Sequence, residues 1–235
     1  MTSETKFSTG FTSVWREVTP LSDGYWGVEN MLTSRVGPPI LNRAPKEIRG
    51  AVNELAFICF SILANGRKRI AREAVYSTLR EATPIAVAYI NRLSAAVPLT
   101  EESIDEVCIR EAMQITLRLL NFFPSGINTL IRPKFKGCGI VNACEGDVIS
   151  GDLLYEVKAG DRGFRVSDLR QLLVYSALAY AANDAKFTRI GLFNPRTGMT
   201  WSKSLDDVCM AISGLRANDV LPRLVDHMQS LSISS

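Results

Sequence analysis

A single histidine, His227, stands in 235 residues. A His-based catalytic triad or a His-rich zinc site therefore has almost no material to draw on. His227 itself lies in a polar–apolar helical pattern that reads as surface. No stretch reaches about 18 consecutive apolar residues, so no membrane span is expected. The opening MTSETKFSTGF has no apolar signal core, and the expectation is a cytoplasmic protein. The five cysteines, Cys59, Cys108, Cys138, Cys144 and Cys209, include no CxxC pair. They read as reduced, small apolar residues rather than metal ligands or disulfide partners. An excess of charge of one sign is lacking too. A formal charge of +3 does not announce nucleic acid, although it leaves room for a local basic patch. There is no internal repeat and no low-complexity tract.

What is present is ordinary globular material, 46% apolar and 22% charged, enough for a sizeable core. Residues 1–44 are rich in Gly, Pro, Ser and Thr, with Trp15, Tyr25 and Trp26 interspersed, and read as an irregular arm. Residues 45–100 read as a helical extension. AVNELAFICFSIL is its buried helix, followed by GRKRIAREAVYSTLREA with Arg67, Lys68, Arg69, Arg72 and Arg80 against Glu73 and Glu81. Two readings of that basic segment stay open, a solvated helix face and a phosphate-contacting surface.

Residues 101–235 read as an α/β core. LTEESIDEVCIREAMQITLRLLNFF is a helix with Thr100 as its N-cap and acids at the positive end of its dipole. Its apolar stripe runs Ile104, Cys108, Ile115, Leu119, Phe122. Glu111 falls inside that stripe, and a carboxylate on a buried face needs a reason. The period then changes. KFKGCGIV, GDVIS and LLYEVKA read as strands, and VSDLRQLLVYSALAYAA as a nearly all-apolar helix capped by Ser167. FTRIGLF and MTWSKSL form a strand pair across the turn NPRTG, and two helices near 205–216 and 218–231 close the chain. That order predicts a mixed sheet flanked by helices.

The segment EGDVISGDLLYEVKAG, Glu145 to Gly160, carries the chemistry. Gly151-Asp152 suits a two-residue hairpin turn with glycine at its first central position. The register then sets Ser150 opposite Leu153, Ile149 opposite Leu154, Val148 opposite Tyr155, Asp147 opposite Glu156 and Glu145 opposite Lys158. Val148, Leu153, Tyr155 and Val157 form a core face. The other face gathers Asp147, Glu156, Glu145 and Lys158. Like charges directly opposite destabilise a sheet. A divalent cation removes the conflict, because both acids can then ionise and ligate it. Lys158 beside them suits charge stabilisation on a phosphate under attack. The competing reading is a solvent-exposed face with a Glu145–Lys158 ion pair.

Asp147, then Glu156-Val157-Lys158, then Gln171 and Tyr175 on the next helix resemble the signature of the PD-(D/E)XK nuclease superfamily, with the QxxxY motif of its RecB-like and Cas4-like branches. The resemblance covers about residues 101–205 and implies a restriction-endonuclease-like core. It implies that Asp147 and Glu156 bind magnesium or manganese with the Val157 carbonyl, and that Lys158 positions the attacking water. Gln171 and Tyr175, four apart on one helix face, would border the site. Glu111 would be the acid of the first core helix, with Glu106 and Glu102 as alternatives. Gly146 stands where many members have proline, and the short spacing leaves Glu145 as a substitute ligand. The activity implied is metal-dependent cleavage of nucleic acid, with DNA the expected substrate, in bacterial or phage defence, restriction or recombination. A homodimer or a restraining partner subunit is the implied assembly. Arg67, Lys68, Arg69, Arg162, Arg165, Arg170 and Arg196 are the candidate phosphate contacts. The rival functions are a non-catalytic DNA-binding or scaffold subunit, and an unrelated α/β binding protein with exposed hairpin acids.

Overall fold

A computed structural model describes residues 1–64, 70–93, 98–123 and 128–233. Three short helices come first, α1 (Glu4–Gly10), α2 (Thr12–Val18) and α3 (Ser22–Glu29), then the two-residue strand β1 (Ser34–Arg35). Two long helices follow, α4 (Arg49–Leu63) and α5 (Arg72–Leu93), and then α6 (Glu106–Phe122). The strands β2 (Thr129–Ile131), β3 (Lys134–Phe135), β4 (Cys144–Glu145), β5 (Val148–Ser150) and β6 (Leu153–Val157) lead into α7 (Val166–Ala181). The chain ends with β7 (Arg189–Phe193), β8 (Met199–Ser204), α8 (Leu205–Ser213) and α9 (Ala217–Ile233).

The main sheet has six strands in the order β1-β8-β7-β6-β5-β2, and β3 and β4 form a separate pair. Within this sheet, among the described residues, β6 and β7 run parallel, joined by α7, while the other neighbours pair antiparallel. Parallel neighbours need a crossover, which α7 supplies. Its face toward the sheet and its face toward the outer helices are both apolar, hence its almost unbroken run of buried residues.

The sheet is covered on both faces. On one side Ile149, Leu154, Ile190, Leu192 and Trp201 pack with α7, α8, α9 and the N-terminal helices, which contribute Phe7, Trp15 and Trp26. On the other, Val148 and Phe193 pack with α4, α5 and α6 through residues such as Leu55, Phe60, Leu79 and Ile115. This corrects two expectations. Residues 1–44 are no irregular arm, since α1–α3 fill one core and β1 pairs with β8. The stretch 45–100 is no separate extension, since its described helices α4 and α5 form the layer over the opposite face of the same sheet.

Cap positions shift as well. Thr100 caps a short 3₁₀ turn, Glu101–Ser103, and α6 is capped by Asp105, whose side chain accepts the Cys108 N–H. Helix α7 starts one residue before Ser167, and Asp168 in its first turn accepts the Arg165 N–H. His227 is half-buried on α9, 3.3 Å from Glu17. Cys59, Cys108 and Cys209 are buried core residues.

Candidate functional site

The hairpin pairs as its turn dictates, with Val148 opposite Tyr155, Ile149 opposite Leu154 and Ser150 opposite Leu153. Gly151 takes φ +62°, the left-handed region that a two-residue turn needs and glycine reaches freely. Both faces of this hairpin are core faces, Ile149 and Leu154 toward α7 and Val148 toward α4–α6. The solvent-exposed reading of the hairpin is therefore set aside.

The ladder stops at Val148. Asp147 turns its side chain inward, and its Oδ2 accepts the Val157 N–H at 2.6 Å. The Asp147 carbonyl accepts the Arg132 N–H (2.8 Å), and Glu145 pairs with Lys134 in the small sheet. Asp147 is therefore no ladder partner of Glu156 and Glu145 does not face Lys158, a correction to the register expected from Asp147 onward. Its carboxylate lies 3.9 Å from Arg132 instead.

Glu156 is 5% exposed and points toward α7. Its Oε1 accepts from Lys158 Nζ at 2.8 Å. Its Oε2 is buried with no partner at hydrogen-bond distance among the described residues, although the Tyr175 hydroxyl is close enough to this carboxylate to favour its charged form. Lys158 also donates to Gln171 Oε1 (2.8 Å), Gln171 Nε2 donates to the Tyr175 hydroxyl (2.9 Å), and that hydroxyl donates to the Glu145 carbonyl (3.3 Å). Phe135 stacks on Tyr175 with ring centroids 5.0 Å apart. Lys158, Gln171 and Tyr175 are thus one directional chain, running from the Glu156 carboxylate to the backbone beside Asp147. The four-residue spacing of Gln171 and Tyr175 on α7 is what aligns them.

Electrostatics follow from burial. Burial pushes the Asp147 carboxyl well above the usual range, and the charge on Glu156 adds to the rise, against the Val157 N–H and Lys158. Burial raises Glu156 as well, opposed by Lys158. Burial alone would lower Lys158, but Glu156 outweighs it and holds the ammonium charged. Burial also drives the Tyr175 phenol far up, so it stays a protonated donor.

Asp147 and Val157 line a cleft of about 510 Å³, together with Asn53, Glu54 and Phe57 of α4, Tyr89 of α5, and Arg132, Glu145 and Glu4. Among the described residues no three or more His, Cys, Asp and Glu side chains form a ready-made metal cage. The Glu156 charge is felt at Asp147, and its partnerless Oε2 is the acceptor a cation would take. Hard divalent ions take carboxylate oxygens and fill the rest of their shell with water or carbonyls.

Several expected contacts lie elsewhere. Glu111 does not join Asp147 and Glu156. Its Oε1 accepts from Arg196 Nη1 (2.5 Å), and its Oε2 accepts the Arg43 and Ala44 N–H groups (2.6 and 2.8 Å). That is the reason for an acid in the apolar stripe. Burial would raise this carboxyl, but the Ala44 N–H, Arg196 and the Arg43 N–H together hold it below its ordinary value. Of the alternative helix acids, Glu106 pairs with Arg80 (2.7 Å) and Arg110 (3.1 Å).

Arg196 is 2% exposed and cannot reach a DNA backbone. Besides Glu111 it binds Asn42 Oδ1, Asn53 Oδ1 and the Ala159 carbonyl, so it ties α4 and α6 to the loop just after Lys158. Arg170 is also withdrawn, lying over the Trp15 ring and reaching Ser22 and Asp23. Arg162 forms a two-pronged pair with Asp168 at 2.7 Å on each arm. Arg165 is exposed beside it. Arg67, Lys68 and Arg69 lie outside the described residues.

Four site residues went unforeseen. Asp168, 3% exposed, steadies Arg162 and lies 3.9 Å from Lys158 Nζ. Its sequence signal was an acid in the first turn of a helix. Glu54 and Asn53 are polar interruptions in an otherwise apolar helix, a pattern visible in AVNELAF. Arg132 had no sequence signal of its own.

A scan against models of known protein families finds no match, and no curated protein matches the sequence. Among the described residues no helix is long and apolar enough to cross a membrane.

Proposed function

We propose that this protein is a divalent-cation-dependent nuclease with a restriction-endonuclease-like core, acting on DNA in the cytoplasm. The observation that carries the reading is the buried, partnerless Glu156 Oε2 next to Asp147, with Lys158 hydrogen-bonded to the same carboxylate. A buried acceptor without a partner costs about 1–3 kcal/mol, a cost that a bound cation would remove. Asp147 and Glu156 would hold magnesium or manganese, with the Val157 carbonyl completing the protein's share. The bound ion would neutralise phosphate charge and acidify a water.

The remaining work falls to the protein's own groups. Lys158 is kept charged by Glu156, so it is suited to stabilising negative charge and orienting a water, not to removing a proton. Gln171 and Tyr175 fix the direction of its ammonium. Arg196 and Asn53 hold the loop that follows Lys158 from behind. Restraint of such an activity by a homodimer or partner subunit belongs to the same proposal, as does a role in defence, restriction or recombination.

The test is incubation of plasmid, linear and single-stranded DNA, and RNA, with magnesium, manganese or a chelator. Wild type is compared with Lys158→Ala and Glu156→Ala. Metal-dependent cleavage lost in both variants supports the reading. Binding without cleavage by any form points to a non-catalytic DNA-binding subunit.

A further inference from the structure

The Asp147 cleft does not end at Arg132. A second depression of about 490 Å³ shares Glu54, Tyr89 and Arg132 with it and continues to Arg92, Ile62 and Ile85. Arg132 is held unusually firmly. It takes φ +53°, rare for a residue with a side chain and rarer before a proline. Its backbone N–H is bonded to the Asp147 carbonyl (2.8 Å). Its guanidinium pairs with Glu54 at 2.6 Å and lies over both the Phe57 ring (5.3 Å) and the Tyr89 ring (5.7 Å). Arg92 lies over Tyr89 as well, at 5.6 Å. Among the described residues Arg92 has no acidic partner.

Resting on the nuclease reading of Asp147 and Glu156, we propose that Arg132, Tyr89 and Arg92 form a track that leads one unpaired nucleic-acid strand to that pair. Alternating guanidinium and aromatic groups are what a single strand requires, phosphates against arginine and base faces against rings or guanidinium planes. A duplex hides its base faces in the stack. It would also bring a second backbone against Glu4, Glu54 and Glu145, which line the same cleft. One row of cations serves one backbone. Glu54 aims Arg132 without using all five of its donors.

The experiment measures anisotropy of a labelled oligothymidylate and of a labelled duplex of equal length. It uses full-length Glu156→Gln protein in magnesium, so that the probe survives. Adding Tyr89→Ala is expected to weaken single-strand binding about tenfold, with Tyr89→Phe retaining it. Adding Arg92→Ala is expected to reduce the dependence of log affinity on log salt by about 0.7. A melting curve on each variant shows that the fold persists. Preference for the duplex, or single-strand binding unchanged in both alanine variants, overturns the track. Cleavage by the wild type is scored separately. Cleavage with binding unaltered by Tyr89→Ala removes the track and leaves the nuclease reading. Tyr89-dependent binding without cleavage by any form keeps the track and removes the nuclease reading.

Discussion

Asp147 Oδ2 accepts the backbone N–H of Val157 at 2.6 Å, the residue between Glu156 and Lys158. One side chain therefore ends the hairpin ladder and brings two carboxyls into mutual repulsion inside the fold. Asp147→Asn keeps an oxygen for Val157 and removes the charge. The cation-free variant should melt no lower than the wild type, and a gain of about 1 kcal/mol would appear as about 2–4 °C. Added magnesium should raise the melting temperature of the wild type and leave that of the variant unchanged. Calorimetry with and without the cation checks both. A variant that melts lower without cation argues against the repulsion.

Lys158 matters through its charge and its aim. Lys158→Ala should lower the rate of cleavage about 10²–10³-fold, the usual loss when a preorganised charge is removed from a developing anion. Gln171→Leu leaves the ammonium but frees its direction, and should cost less. Cleavage rates under single-turnover conditions separate the two. Equal losses would mean that Lys158 acts only through its link to α7.

The Glu111–Arg196 pair is structural, so its loss should be read in stability. Removing one partner of a fully buried pair strands the other's charge, at a cost of about 3–5 kcal/mol. Arg196→Met should lower the urea midpoint accordingly. A surface arginine contacting DNA would leave that midpoint unmoved.

The same pair sets part of the acid sensitivity. The Glu111 carboxyl is held below its ordinary value in the fold. Its contribution is therefore fully present above the unfolded value of about 4.3 and is lost as pH falls through the lower, folded value. Glu111→Gln should be less stable at neutral pH and should lose less stability on acidification. Urea midpoints measured from neutral pH down to pH 3 test this. Parallel curves for the two proteins would refute it.

The hairpin was legible because the Gly151-Asp152 turn fixes every pair up to Val148–Tyr155. Spacing put Gln171 and Tyr175 on one helix face, and their link to Lys158 came with the resemblance to a QxxxY motif. Glu111 announced itself as an acid in an apolar stripe, but its partner did not, because Arg196 sits 85 residues away in the turn after β7. Local pattern carries no information about such a pairing. The departure at Asp147 was hidden for a similar reason. Residues 145–147 pair with 132–134 and not with β6, a choice made by tertiary packing. Arg132, whose conformation goes against its own propensity, was invisible.

The N-terminal helices were misread because their glycines, serines and threonines resemble loop composition, while the apolar residues that matter are few and large. Trp15 is fully buried; its Nε1–H donates to the Phe7 carbonyl at 3.0 Å, and its ring meets Phe7 edge-on at 5.8 Å. Truncating such a residue removes both its buried area and the filling of its site, so Trp15→Ala should destabilise the whole protein by about 3–5 kcal/mol. Urea unfolding followed by far-ultraviolet circular dichroism gives the number, and one cooperative transition should report it, because α1–α3 share a core with α7 and the sheet. A loss below about 1 kcal/mol, the level of ordinary surface changes, would return residues 1–44 to the status of a loosely attached arm.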